Sequence, residues 1–436
     1  MLTPATLPAL QAAIADAAVD GWLLFDFQGC NPIAGGLLGL HGMVTRRIFV
    51  WVPREGVPSA LGHAIEPGPW RTWPASWGHA TYSSWRELER AVGALVYGKR
   101  IAMEYSPGDA VPYLDRVPAG VLELVRAAGA KEIVSSGALV TRFVASWNAD
   151  HVASHARAAE IIRTIALDAF TLAGQRARTA QPIAEHELMA WMLERFARAG
   201  LSTDHGPNVS AGANAANPHY EPSADRPRPI VEGDVLLIDL WARENDIAAQ
   251  SASGDAADQT AVGRKAEQPL VSVSADQTTV GAKAGQPVVG VWADQTWMAT
   301  IGAPTARAQE IWRTIRDARD AAIAKVVDDV AAGKTLRGGD VDDAARAVVE
   351  SRGLGKYFTH RTGHSIDPRS LHGAGPHLDN LETREERLLV PGVAFSIEPG
   401  VYIPGEIGMR TEVNAYIEEG RAVITPREYQ RELIVA

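Results

Sequence analysis

The stretch VLLIDLW (235–241) sets one carboxylate, Asp239, inside a run that is otherwise apolar and β-prone. An ionised carboxylate held near a core is costly unless it is paired or binds a metal. The pattern recurs in WADQTWM (292–298, Asp294), HRTGHSI (360–366, His364), FSIEPGVY (395–402, Glu398) and GMRTEVN (408–414, Glu412). For a single such aspartate a turn cap or an arginine pair is the plainer account. Five in succession, each in its own strand-like segment, weaken that account. Four carboxylates and one imidazole are the hard, oxygen-rich set that would hold two divalent ions side by side, which points to a hydrolase. An aspartate pair on neighbouring strands suits this, because alternate residues share a face and adjacent strands lie about 4.8 Å apart. On that reading Asp239 shares its face with Leu237 and Trp241.

The bulk properties are compatible with such an enzyme. A chain of 436 residues has room for two domains, and 46% apolar with 22% charged residues is ordinary for a globular protein. The net charge of −10 argues against a nucleic-acid or anionic-membrane partner. Cys30 is the only cysteine, which excludes intrachain disulfides and thiolate zinc clusters and fits a reducing compartment. The N-terminus lacks the basic start and long apolar core of a signal peptide, and no apolar run approaches the roughly 18 residues of a membrane span. The expected location is the cytoplasm.

Upstream of the carboxylates, WLLFDF (22–27), RRIFVWVP (46–53) and KRIAMEYSP (99–107) read as strands. LPALQAAIADAAV (7–19) reads as a helix, as does SSWRELERAVGALVYG (83–98), with a serine cap and a stop near Gly98. This alternation predicts an α/β domain over 1–150. The aromatic group Trp70, Trp73, Trp77, Tyr82 and Trp85 is read as packing. From about Asp150 a helix should lead into a second domain, 151–436. IAEHELMAWMLERFARAG (183–200) is helical and stops at Gly200. TARAQEIWRTIRDARDAAIAKVV (305–327) places Ile311, Ile315, Ala318, Ala322 and Val326 on one stripe, and DVDDAARAVVESRG (340–353) is capped by Asp340 and closed by Gly353. Helices alternating with long, curved antiparallel strands predict an α+β architecture.

Residues 257–274 (ADQTAVGRKAEQPLVSVS) and 275–292 (ADQTTVGAKAGQPVVGVW) are a tandem duplication identical at 12 of 18 positions, and ADQT begins again at 293. Two copies are too few for a solenoid, so an extended surface insertion is expected, with a hairpin per copy as the structured alternative. An 18-residue register slip would present Asp258 or Asp276 where Asp294 belongs. The histidines divide similarly. His360 and His364 lie four apart in a segment that reads as strand, where they would share a face. The segment lacks the glutamate of a HExxH zinc site. His364 is the better ligand candidate, with His360 beside it. His219 in NPHYEP and His372 in LHGAG read as loop histidines.

Taken together, GDVLLIDLW, HRTGHSI, SIEPGVYIPGE and GMRTEVN resemble the pita-bread metallopeptidases, the Xaa-Pro aminopeptidases, prolidases and methionine aminopeptidases, with creatinase as a relative. The resemblance runs from about Asp150 to the end, and the first 150 residues are similar to the creatinase-type N-terminal domain of the proline-specific branch. It implies a pita-bread fold and hydrolysis of the bond preceding proline, in Xaa-Pro dipeptides or longer peptides. It further implies a homodimer and two divalent ions, with Mn2+ favoured over Co2+ or Zn2+. Asp239 would bind one ion, Asp294 and Glu412 would bridge both, and His364 and Glu398 would complete the second site. A hydroxide between the ions would be the nucleophile, Glu398 the proton shuttle, and His219 and His372 the groups that hold the scissile carbonyl. Arg410 would orient Glu412 by a charge-assisted hydrogen bond, and His360 would be a supporting or substrate contact. One departure is the spacing: 55 positions separate Asp239 from Asp294, and removing both copies leaves 19, nearer the hairpin the family uses. Two other readings are a creatinase-like C–N hydrolase working without metal and a non-catalytic binding module; both would be expected to have lost the carboxylates that are present here.

Overall fold

The computed structural model describes residues 1–40, 44–246 and 289–436. Strand β1 (Gly21–Asp26) is buried along its whole length because it is the interior of a mixed sheet with cores on both faces. Trp22 and Leu24 point into one core, with helices α1 (Leu7–Asp16), α2 (Pro32–Leu38) and α5 (Gly137–Phe143). Leu23 and Phe25 point into the other, with α3 (Trp85–Val96) and α4 (Ala119–Ala127). The other strands are β2 (Ile48–Pro53), β3 (Ser59–His63), β4 (Gly78–Tyr82), β5 (Arg100–Met103) and β6 (Glu132–Ser135), in the spatial order β4-β3-β2-β1-β5-β6. Ser84 starts α3 with a reciprocal capping box, its hydroxyl accepting from Glu87 N while the Glu87 carboxylate accepts from Ser84 N. Of the aromatic group, Trp70, Trp77 and Tyr82 are buried, whereas Trp85 is 55% exposed and takes no part in that packing.

Glu104, just past β5, is fully buried and accepts from Asn31 Nδ2 (2.7 Å), Ser136 Oγ (3.1 Å) and Trp22 Nε1. Burial pushes its carboxyl up to about 7, against the pull of those three donors. A raised folded value means that its stabilising contribution is complete below the unfolded value of 4.5 and is lost as pH rises through about 7. Unfolding followed by tryptophan fluorescence should therefore show ~3 kcal/mol less stability above this window than below it. Glu104→Gln should flatten the dependence; an unchanged pH slope in that variant would count against the assignment.

The remaining strands begin with β7 (Leu201–Ser202), β8 (Asn208–Ala211), β9 (Val235–Glu244) and β10 (Ala293–Thr300). β9 pairs antiparallel with β10, in register from Val235 opposite Thr300 to Ala242 opposite Ala293, and β8 lies on its other side. Leu236, Ile238, Leu240 and Ala242 face the core under α6 (Ala149–Ala177) and α7 (Glu185–Arg198). On the opposite face Val235 and Leu237 enter a second core, and Asp239 and Trp241 continue that face into a cleft. The strand period alone thus carries the carboxylate from core packing into the site. The ends of the insertion return to the same place, since Asp246 Oδ1 accepts from Gly290 N at 2.9 Å. The expected hairpins, with Asp258 and Asp276, lie outside the described residues.

The second core is closed by α8 (Ala306–Ala331) and α9 (Gly338–Ser351), packed on β11 (Ala394–Ile397), β12 (Gly400–Ile403), β13 (Ile407–Arg410), β14 (Val413–Glu418) and β15 (Arg421–Thr425); β16 (Ile434–Val435) edges β10. Ile311, Ile315, Ala318, Ala322 and Val326 form the fully buried stripe of α8. Helix α9 starts two residues before the expected cap. Asp340 sits inside its first turn and accepts from Arg337 N at 2.9 Å, so the acid caps from the third position. The HRTGH segment is a second correction, because it is extended chain rather than a strand. It touches its neighbours by isolated bridges, Gly363 to Leu378 and Ser365 to Phe395. A Cβ at Gly363 would stand 1.9 Å from Ser396 O, so this close approach requires glycine. Among the described residues no helix is long and apolar enough to cross a membrane.

Candidate metal centre

Register places Asp239 opposite Thr296, and Asp294 two residues before Thr296 on the same face of the adjoining strand. Glu412 joins them from the break between β13 and β14, where its N–H donates to Thr296 O at 3.1 Å. Asp294 is held by donation from its own N–H to Asn414 Oδ1 at 2.9 Å. His364 arrives from the extended segment, its N–H donating to Ser396 Oγ at 2.9 Å. Its Nδ1 lies 3.2 Å from Ser365 O, and because a carbonyl can only accept, Nδ1 carries the proton and Nε2 keeps its lone pair. That Nε2 is 3.3 Å from Asp294 Oδ2 and 3.6 Å from Glu398 Oε1.

Asp294, His364 and Glu412 each present a donor atom within 4.8 Å of the other two. Asp294 Oδ1 and Glu412 Oε1 are buried and have no hydrogen-bond partner among the described residues. Burial first, and then the neighbouring carboxylates, push both carboxyls well above their usual range. Two unpartnered oxygens and an imidazole lone pair converging in a buried space fit a divalent cation, which would offset the repulsion.

Asp239 and Glu398 face the same cleft but are engaged differently. Asp239 Oδ1 accepts from Thr296 Oγ1 at 2.9 Å, and Oδ2 pairs with Arg410 Nη2. Arg410 Nη1 lies 3.5 Å from Glu398 Oε2. The expected contact from Arg410 to Glu412 is therefore corrected. Arg410 reaches Asp239 and Glu398 directly and Glu412 only through Thr296, whose Oγ1 accepts from Arg410 Nε at 2.8 Å and lies 2.8 Å from Glu412 Oε2. Strand β13 ends at Arg410, so the two residues share no continuous strand face. Arg410 is itself steadied through the chain, because the buried Arg319 donates to Thr411 Oγ1 at 2.8 Å. Burial pushes Glu398 up, but Arg410, His364, His360 and Arg361 outweigh it and hold the carboxyl at about 2.

The three remaining histidines line one cavity of about 870 Å³ with these groups. His372 packs against His364 with ring centres 4.3 Å apart and ring planes tilted by 52°. The neighbouring His364 ring and then desolvation push His372 down to about 3, so it stands neutral. His360 Nδ1 faces Arg361 O at 2.7 Å and its Nε2 faces Tyr402 OH at 3.0 Å. His219 is exposed on the loop after β8. Three contributors were not read from sequence: Thr296, Tyr402 and Arg361. Thr296 lies two residues from Asp294, a spacing that does put it on the same face. Arg361 Nη1 donates to Tyr113 OH at 2.6 Å, a contact 248 positions apart that no local pattern announces.

The model of the family described as Metallopeptidase family M24 matches residues 154–256 and 260–419, more than half of the chain. Among curated proteins the chain is 28% identical over 213 residues to an Xaa-Pro dipeptidase of Lactobacillus delbrueckii subsp. lactis, covering 49% of this chain and 42% of that one. The chain thus spans less than half the length of that relative. Among solved structures it is similar to the dipeptidase PepE from Mycobacterium ulcerans, with a TM-score of 0.69 and 22% identity over 99% of this chain and 97% of that one. It is also similar to a prolidase from Thermococcus sibiricus, with a TM-score of 0.62 and 18% identity over 100% of both chains. These likenesses establish the α+β, pita-bread fold.

Proposed function

The chain belongs to metallopeptidase family M24, and on that premise we propose that it hydrolyses the peptide bond preceding proline, as an Xaa-Pro aminopeptidase or dipeptidase. The observation that carries this reading is the convergence of Asp294, His364 and Glu412, with two unpartnered oxygens, in a cleft that also holds Asp239, Glu398, His219 and His372. The first 150 residues are proposed as a creatinase-type domain and residues 151–436 as the catalytic domain. We assign two divalent ions to the five ligands, with Mn2+ the expected species for an oxygen-rich set. The expected assembly is a cytoplasmic homodimer, which a doubled mass by light scattering would reveal.

When bound, such ions lower the pKa of water and polarise a carbonyl. The residues supply the rest. Glu398, ionised, takes the proton from the attacking water and returns it to the proline nitrogen as it leaves. His372, neutral, can donate an N–H to the carbonyl oxygen as negative charge develops there, and His219 can do so from its loop. Arg410 keeps Asp239 and Glu398 turned toward the cleft, and Tyr402 fixes the ring of His360.

Purified protein should retain metal through dialysis and release proline from Ala-Pro or an Ala-Pro-initiated peptide. Asp239→Ala should lose metal and on the order of 10³-fold in kcat/KM. Full activity in that variant would sink the proposed site. The metal-independent and non-catalytic readings remain less favoured because the complete carboxylate set is present.

A further inference from the structure

Glu185, the first residue of α7, is a carboxylate only 1% exposed. An acid at a helix N-terminus is ordinary, since it complements the helix dipole. The hydrogen bonds of this one go elsewhere. Its Oε1 accepts from Ala211 N at 2.6 Å, Asn214 Nδ2 lies 3.1 Å from both oxygens, and Oε2 accepts from Tyr220 OH at 2.7 Å. All three donors belong to the segment that leads from β8 to His219 and one residue past it. Burial, and then the bond to Glu185, push the Tyr220 phenol up to about 12, so it remains a donor.

The segment is clamped on its other side as well. A Cβ at Gly408, on β13, would stand 1.7 Å from Ala215 O, so the turn over Gly212–Ala216 rests directly on the strand that ends at Arg410. His219 bonds through its backbone, its N–H donating to Asn217 Oδ1 at 3.1 Å, while its ring stands exposed in the cleft. The backbone that carries that ring is therefore held on both sides, by Glu185 and by β13.

We propose that Glu185 is a positioning residue for the reaction, acting through Tyr220 and Asn214 to hold His219 at the scissile carbonyl. The proposal rests on the assignment of His219 to the oxyanion side of the cleft. A buried carboxylate is costly to keep, and charge-assisted bonds are shorter and stiffer than neutral ones. That stiffness matters where a displacement of 1 Å can cost about a hundredfold in rate.

The test is a double-mutant cycle on the Mn2+-loaded full-length protein with Ala-Pro as substrate. Tyr220→Phe removes one bond from a half-buried residue and leaves the helix start intact, so it serves beside Glu185→Ala should the latter fail to fold. Each is expected to lower kcat by about tenfold with KM little changed, and Glu185→Gln, which keeps an acceptor and two donors, should recover most of the Glu185→Ala loss. In a His219→Ala background neither substitution should lower kcat further, because the ring they position is gone. Equal losses with and without His219 would mark a purely structural role and overturn the proposal alone. Wild-type kcat in His219→Ala would overturn it together with the assignment of His219. Unchanged kcat in both Tyr220→Phe and Glu185→Ala would also overturn it.

Discussion

Asp294→Asn is expected to abolish Xaa-Pro hydrolysis, whereas Asp258→Asn and Asp276→Asn leave it at the wild-type level. All three aspartates sit in the same tetrapeptide, ADQT, and local sequence barely separates them. The separation is tertiary. The ADQT at 293–296 occupies β10, with Asp294 beside His364 and Glu412 and with Thr296 bonded to Asp239. Removing the Asp294 charge deletes one of the carboxylates that would hold the metal, and a loss on the order of 10³-fold or more follows. The check is kcat/KM together with metal content for the three variants. Loss of activity in Asp276→Asn, with Asp294→Asn still active, would mean that the strand slips by one repeat and the second copy supplies the ligand.

Stripping the metal should lower the thermal midpoint of the wild type, and Asp294→Asn should remove most of that response. At a hundredfold excess of free ion over its dissociation constant, binding to the folded state contributes about 2.7 kcal/mol. For a chain of this size that corresponds to about 3 °C. The physical cause is the carboxylate cluster. Asp294 and Glu412 are both raised above their unfolded values of 3.8 and 4.5, so without metal their contribution is complete below those values and is lost as pH rises through the raised folded ones. Metal reverses the preference by favouring the ionised form. Near neutral pH the metal-free Asp294→Asn protein should therefore melt above the metal-free wild type, and the order should reverse once Mn2+ is added. Midpoints measured with chelator and with Mn2+ decide this; a wild-type midpoint indifferent to both would contradict the site.

Much of this was legible along the chain because it rests on short-range periodicity. The α8 stripe follows from helical spacing, and the placement of Asp239 on the face of Leu237 follows from the strand period. The α3 start follows from its serine cap, which the structure places at Ser84, with its capping contact inside one turn. HRTGH misled for a physical reason. Its flanks are β-prone, yet the close approach of Gly363 to Ser396 and the single bridges on either side leave it extended without a continuing ladder. Arg410 misled because spacing of two suggests a shared face, whereas the chain leaves β13 immediately after it. Tyr113, Arg319 and Glu185 act on the cleft across many intervening residues, and no local pattern contains them.

The sequence by itself determined the chemical inventory: hard oxygen ligands and imidazoles embedded in apolar runs, with a fold class to carry them. It could do so because burying ionisable groups is costly enough to make their presence in such runs informative. The tertiary structure decided which oxygen meets which partner. Asp294, His364 and Glu412 converge with open valences, Asp239 and Glu398 are gathered by Arg410, and the ADQT at 293–296 enters the sheet as part of β10. Those choices depend on strand register and on contacts between distant segments, whose energies appear only once the chain has closed on itself.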